Sequence, residues 1–278
     1  KGFEAELIYR KNMSTDFSVV LKGNFAYNKN TIVNYDEVRY GEDYAYRYRR
    51  TGFSIGQPFG YKIDYSNGNG YINTQEELDN LPDYQMGGTP RLGDFKYVDV
   101  NGDNVINDRD LVPIGYPDVP RVSYGFSGTL NYKNFDLSFL LTGIGQSNKY
   151  TNGWGVNEFA LVGFYNGWHR QAWTPERYAN GEAIAYPALA MSSGVSHVAN
   201  DFFIMDRSFL RLKNMEVGYR LPDKLLKPIR VQQLRAYING NNLLTFKKFP
   251  IDTVDPEQND PLVYPLTKMI NFGLNITF

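Results

Sequence analysis

Apolar and polar residues alternate along much of this chain. In DFSVVLKGNFAYN, Phe17, Val19, Leu21, Phe25 and Tyr27 share one parity, and Ser18, Lys22, Asn24 and Asn28 the other. In SYGFSGTLNY the apolar set is Tyr124, Phe126, Leu130 and Tyr132. After Lys133-Asn134 the pattern restarts with Phe135, Leu137, Phe139 and Leu141. FEAELIY sets Phe3, Ala5, Leu7 and Tyr9 against Glu4 and Glu6. KMINFGLNITF sets Ile270, Phe272, Leu274, Ile276 and Phe278 against Asn271, Asn275 and Thr277. A period of two turns successive side chains to opposite faces of a β-strand. Weaker strands are expected near Phe209–Leu221 and Val231–Phe246. In the first, Met215, Val217, Tyr219 and Leu221 alternate, but Leu210 and Leu212 are out of phase, which predicts a bulge near Lys213. About seven strands result, several near the 9–11 residues of a tilted bilayer-spanning strand.

The connections also alternate. KNMST, Lys133-Asn134 and PDKLLKPIR are short, whereas 30–121, 145–204 and 247–265 are long. Loops this long are uncommon in a compact water-soluble domain. Short turns at one end and long loops at the other fit an outer-membrane barrel, with a polar inside (Glu4, Glu6, Lys22, Asn24, Asp136) and an apolar, aromatic outside. The rival is a secreted, calcium-stabilised β-sandwich that binds glycans, where the same alternation means core-in and water-out. Tyr at strand ends, where a membrane girdle would sit, and the apolar terminal strand favour the barrel. Within the long segments, Thr74 and Glu77 of TQEELDNL predict a capped short helix, and NGNG at Asn67–Gly70 a tight turn.

Composition narrows the chemistry. A net charge of −1 gives no electrostatic case for nucleic acid. With no Cys there is no disulfide, Cys-based zinc site or thiol nucleophile, and two His residues do not make a multi-histidine centre. His169 and His197 are expected to be solvated loop residues. No Ser/His/Asp arrangement or placed carboxylate pair marks an enzyme.

Several motifs then combine in order: GDFKYVDVNGDNVINDRD, IGYPDVP, GTLNYKNFDLSFLLTGIG, SFLRLKNMEVGYRLP, INGNNLLTF, DPE at Asp255–Glu257, YP at Tyr264–Pro265, and GLNITF. Together they resemble the C-terminal part of SusC-like (SusC/RagA-type) TonB-dependent outer-membrane transporters of Bacteroidetes, over essentially the whole of residues 1–278. The resemblance implies an all-β fold: a transmembrane antiparallel β-barrel in the cell outer membrane, in contact with lipid. This chain would supply about the last seven of 22 strands. The plug, the remaining strands and the TonB-contacting N-terminal part would lie elsewhere in the same transporter. A SusD-like surface lipoprotein would cap the long extracellular loops, and the cargo would be oligosaccharides or peptides. Phe278 would act as an assembly signal on the last strand.

DVNGDNVINDRD, residues 99–110, has the spacing of an EF-hand-like calcium loop. Asp99, Asn101 and Asp103 take the first, third and fifth positions, the Val105 carbonyl the seventh, Asn107 the ninth through water, and Asp110 the twelfth. Asn104 replaces the usual Gly, and Asp110 is shorter than the usual Glu. No helix pattern precedes the loop, so Ca2+ is expected to be structural rather than sensory; the alternative is an Asx-rich turn without metal. Trp154, Trp168 and Trp173, with Phe164, Tyr165 and His169, form a candidate platform for sugar rings, or else pack within the loop or against the lipoprotein.

Overall fold

The computed structural model describes residues 1–38, 50–153, 156–159, 165, 167–248, 254–258, 263–264 and 266–278, with Ile229 described by its backbone alone. Seven long strands form one sheet: β1 (Gly2–Asn12), β2 (Phe17–Asn28), β3 (Val122–Tyr132), β4 (Phe135–Gly145), β5 (Phe209–Arg220), β6 (Gln233–Lys247) and β7 (Met269–Thr277). Each pairs antiparallel with its neighbour in chain order, an up-and-down meander with β1 and β7 at the edges. Two-residue, four-residue and twelve-residue connections (133–134, 13–16 and 221–232) close one end. In the tightest of these Lys133 has a left-handed φ of 51°. The longest of them holds a helical turn, Asp223–Leu226, whose Leu226 is buried.

Register puts the alternating apolar residues on a single face. Phe3 lies opposite Tyr27, Phe25 opposite Tyr124, Leu130 opposite Leu137, Phe139 opposite Met215, and Ile238 opposite Phe272. Rings meet across strands, as in Phe126–Phe139 at 5.7 Å and Phe135–Tyr219 at 4.6 Å between centroids. The expected bulge is present: Leu212 pairs with Leu141 and Asn214 with Leu140, so Lys213 is the extra residue. It keeps Leu210 and Leu212 on the same face as Met215 and Val217, and it turns Phe209 and Arg211 to the other. Gly143 sits where any Cβ would drive into the Tyr124 ring, whose hydroxyl donates to the Phe209 carbonyl at 3.1 Å.

This apolar face is uncovered. Leu7 is 75% and Phe272 81% exposed, and Phe3, Phe126, Phe135, Ile270 and Leu274 are exposed too. A contiguous apolar surface of this extent is untenable in water and suits lipid. The opposite face is polar and cross-linked. Lys22 pairs with Glu6 at 3.0 Å, and Arg235 bridges Asp136 and Glu216. Asn239 joins Glu216 to Asn271, at 3.2 and 2.9 Å.

The buried core lies in the long connections, not between sheets. One cluster centres on Tyr61, Ile63, Tyr71, Phe95, Tyr97, Ile106 and Trp173, another on Val156, Tyr186, Phe203 and Met205. The connection after β2 is braced to the one after β4. Tyr61 N–H donates to the Ala199 carbonyl at 2.8 Å, Phe95 N–H to Ser196 Oγ at 3.0 Å, and Ser196 Oγ–H to Asp94 Oδ1 at 2.9 Å.

Candidate functional site

The functional candidates gather at the end of the sheet that carries the long connections. The 99–110 loop folds through Asx turns. Asp99 Oδ1 accepts the Gly102 N–H and Oδ2 the Asn104 N–H, both at 2.7 Å. Asn101 Oδ1 accepts the Asp103 N–H at 3.1 Å, and Asp103 Oδ1 the Val105 N–H at 2.9 Å. Asn104 has a φ of 64°, the left-handed conformation that this position requires and Asn tolerates. Val105–Ile106 pairs in parallel with Asp83–Tyr84, which anchors the exit of the loop. Asn107 caps the turn Asp108–Asp110. Asp110 is fully buried, its two oxygens accepting the N–H groups of Val100 and Asn107 at 2.8 and 2.9 Å. The donors are hard oxygens, and each carboxylate oxygen keeps a lone pair beyond its N–H bond, so the set fits Ca2+ in kind. Among the described residues, no three acidic or histidine side chains gather into a metal cluster.

The aromatic candidates separate. Trp154 and Phe164 lie outside the described residues. Trp173 is buried at 5% exposure, its Nε1–H donating to Asn73 Oδ1 at 3.1 Å. Gly93, at φ 82°, passes so close to its ring that a side chain there would collide. Trp168 packs on Tyr186 and Phe202, with centroids 5.6 and 5.9 Å away. Among the described residues of this region, the rings of Phe159, Tyr165 and Tyr178 are exposed.

The sequence led us to expect solvated histidines, and the structure corrects this: His169 and His197 are both enclosed by the packed connections. His197 Nε2 lies 3.0 Å from Glu158 Oε2, and its Nδ1 accepts the Gly194 N–H at 3.2 Å, which places the proton on Nε2. The same Glu158 oxygen accepts the Tyr186 hydroxyl at 2.6 Å, and Oε1 accepts the Ala190 N–H at 2.8 Å. Burial alone would raise the Glu158 carboxyl, but the His197 and Tyr186 hydrogen bonds outweigh it and hold the group at about 2. His169 Nε2 sits 3.0 Å from the Val156 carbonyl, and burial lowers its pKa.

DPE has a clear structural role that spacing did not disclose. Asp255 and Glu257 both grip the guanidinium of Arg211, which is wholly buried on the polar face of β5. Arg211 Nε also donates to Thr245 Oγ1 at 3.0 Å, and the Phe209 ring lies 5.0 Å away. Phe278 follows β7 directly, exposed beyond Ile276.

No family model matches the chain. It is 32% identical over 234 residues to TonB-dependent receptor P26 of Formosa agariphila, covering 75% of this chain and 22% of that protein. It is 27% identical to TonB-dependent receptor SusC of Bacteroides thetaiotaomicron over 100% of this chain and 26% of that protein. The chain is homologous to the TonB-dependent receptors, SusC among them. The structure of the RagAB peptide transporter superimposes on all of the chain with a TM-score of 0.68 at 20% identity, over 29% of that chain. The seven-stranded sheet therefore has the fold of a TonB-dependent transporter barrel and belongs to the outer membrane. The chain spans about a quarter of the length of these TonB-dependent receptors, as a portion of a larger barrel wall would. The matched proteins are receptors and transporters rather than enzymes.

Proposed function

We propose that this chain forms part of the wall of an outer-membrane importer that takes up oligosaccharides or peptides, energised through TonB. A SusD-like surface lipoprotein would sit over the long connections. Homology to TonB-dependent receptors along the whole chain carries the reading, and the uncovered apolar sheet face agrees with it. The polar face, with its Arg235–Asp136–Glu216 bridge, would line the lumen. On this reading the long connections are extracellular and their packed cores are a rigid rim on which a partner can rest. RagAB is a peptide transporter by name, but at 20% identity that likeness speaks for the fold and not for the cargo. The test is uptake by cells with and without the full-length protein, on oligosaccharide and on peptide as sole source, with and without TonB. Uptake unaffected by loss of the protein would overturn the reading, and purification from native membranes without any lipoprotein would remove the partner.

We also propose that Ca2+ binds the 99–110 loop through Asp99, Asn101, Asp103, the Val105 carbonyl and Asp110. The support is the order of oxygen donors and the left-handed Asn104. The ion would stiffen the rim and take no part in transport chemistry. Calorimetry with the full-length protein tests it: heat of binding at millimolar Ca2+ that vanishes in Asp99→Ala/Asp103→Ala is expected. No heat in the unmodified protein would refute the site.

A further inference from the structure

Beside the Glu158 anchor lies an open cleft of about 380 Å³, lined by Asn157, Phe159, Met191, Ser192, Ser193 and His197 among others. Its volume falls within the roughly 300–1,000 Å³ of small-ligand sites. From the residues that shape it, we infer that this cleft is a binding subsite for a neutral sugar unit of an oligosaccharide. The inference rests on the import reading, which gives cargo access to the outer connections.

Three observations carry it. Phe159 has a φ of 53°, a left-handed conformation that is a genuine outlier for a bulky residue. Strain of this kind persists only where the surroundings impose it, and it clusters at binding sites. The preceding residue is held in place: Glu158 is locked by Tyr186, His197 and Ala190. The Phe159 ring is 41% exposed at the cleft, while Tyr186 and Phe203 turn into the core. A second exposed ring adjoins Phe159. Tyr165 is 53% exposed and meets Phe159 edge-on at 5.4 Å between centroids. Below them the wall is polar. The Asn157 amide donates to Asn152 Oδ1 at 2.5 Å, Asn157 Oδ1 is buried without a hydrogen-bond partner, and the hydroxyls at the cleft are those of Ser192 and Ser193.

The chemistry of the wall selects the ligand. Glu158 is fully enclosed and spends both oxygens on His197, Tyr186 and Ala190, so its carboxylate is not open to a ligand. The described lining residues otherwise present hydroxyls, an amide, a thioether and an aromatic ring. A sugar matches this pattern, with hydroxyls for the polar wall and an apolar ring face for Phe159. Two modes of peptide recognition, an open strand edge and charges that capture the termini, have no counterpart among the described lining residues, and a peptide comparator tests the rest.

The test uses the full-length transporter in detergent, with any lipoprotein that co-purifies. The probes are neutral linear oligosaccharides of glucose, mannose, galactose and xylose, three to six units long, with a pool of short peptides as comparator. At least one sugar series should bind, and Phe159→Ala and Phe159→Gly should each weaken it about tenfold. Phe159→Trp should keep it. Phe159→Gly is decisive, because Gly accepts a positive φ and relieves the strain while it deletes the ring. Lost binding in that variant cannot be blamed on a damaged loop. No sugar bound, peptides alone bound, or sugars bound equally by the Ala and Gly variants would each overturn the inference. Uptake by cells separates this from the broader reading. If uptake depends on the protein while the Phe159 variants bind normally, the subsite fails and the importer stands.

Discussion

Replacing Arg211 by Met should loosen the connection between β6 and β7 and leave the barrel wall folded. The guanidinium is fully buried, and it holds Asp255, which is mostly buried, and Glu257, which is about one-third exposed at 34%. Met fills a similar volume but leaves two carboxylates without their partner. Breaking a buried charge cluster from one side costs roughly 3–5 kcal/mol, because the remaining charge stays desolvated. Glu257 can turn toward water and toward Lys213, whose Nζ is already 3.8 Å away. Asp255 has no such exit unless residues 254–258 lift off the sheet. Two other tethers resist that: Arg207 Nε donates to the Pro256 carbonyl at 2.9 Å, and Lys247 Nζ to the Val254 carbonyl at 2.8 Å. The loss is therefore expected near the lower end, about 3 kcal/mol, and confined to this segment. Hydrogen exchange on the purified full-length protein reads it directly. Amides of 254–258 should exchange roughly a hundredfold faster, while those of β4 to β6 keep their rates. The triple variant Arg211→Met/Asp255→Asn/Glu257→Gln should recover more than half of the lost protection, since no charge remains to be hydrated. Unchanged exchange at 254–258 in Arg211→Met, or a triple variant no better than the single one, would refute the reasoning.

Other outcomes follow from the same geometry. Glu158 sits at about 2 when folded against an ordinary 4.5, so its stabilisation of the 156–197 region is complete above pH 4.5 and lost as pH falls toward 2. The effect is up to about 3 kcal/mol. Asp94 and Asp201, raised by burial, act in the opposite sense, so the expected signature is that Glu158→Gln flattens the acid loss of hydrogen-exchange protection around Ala190; an unchanged pH profile would sink it. Deleting Lys213 should turn Leu210, Leu212 and Arg211 to the wrong faces and sharply reduce assembled protein in the outer membrane, whereas Lys213→Ala, which keeps the bulge, should assemble normally. Surface labelling compares the two. Gly143→Ala should lower heat resistance on a gel because its Cβ would meet both the Tyr124 ring and the Phe209 carbonyl, and Tyr124→Ala in the same chain should relieve only part of the loss.

The sheet was largely legible in the sequence because a period of two survives inspection one strand at a time. Even the bulge at Lys213 showed itself, as the phase slip between Leu212 and Met215. Local turn chemistry was legible for the same reason. Gly68 and Gly70 of NGNG take φ of 95° and 77°, and Thr74 Oγ1 caps its helix by accepting the Glu77 N–H at 3.1 Å. Glu77 departs from the capping-box pattern by reaching one residue further back, to the Asn73 N–H at 2.6 Å. What stayed hidden depends on pairs far apart in sequence. Ser196 meets Asp94 across 102 positions, and Arg211 meets Asp255 across 44. No periodicity marks such pairs, so the burial of His169 and His197, the packing of Trp173 and the grip of DPE on Arg211 emerge only with the fold. Phe159 was invisible for another reason: its distinction is a backbone angle.

Two solvents explain why one chain places its aromatics in opposite ways. Along the sheet, most Phe and Tyr face outward because the surroundings are apolar. In the long connections the aromatics of the two cores face inward because the surroundings are water. The strand tops have to satisfy both rules within a few residues, and the chain does so with charge. Arg207, just before β5, donates its N–H to the Ser147 carbonyl at 2.9 Å, its Nε–H to the Pro256 carbonyl, and pairs with Asp118. Ser147 Oγ–H in turn donates to the Asp118 carbonyl at 2.7 Å. Asp118, Ser147 and Pro256 belong to the three long connections in order. A single buried arginine thus ties all three to the top of one strand, where an apolar side chain would leave the Pro256 carbonyl and the Asp118 carboxylate without their partner. Four residues on, two pleat repeats along the chain, Arg211 repeats the device by gripping Asp255 and Glu257 on either side of Pro256. The rim is fixed to the wall by hydrogen bonds that need neither lipid nor water, which suits a boundary exposed to each in turn.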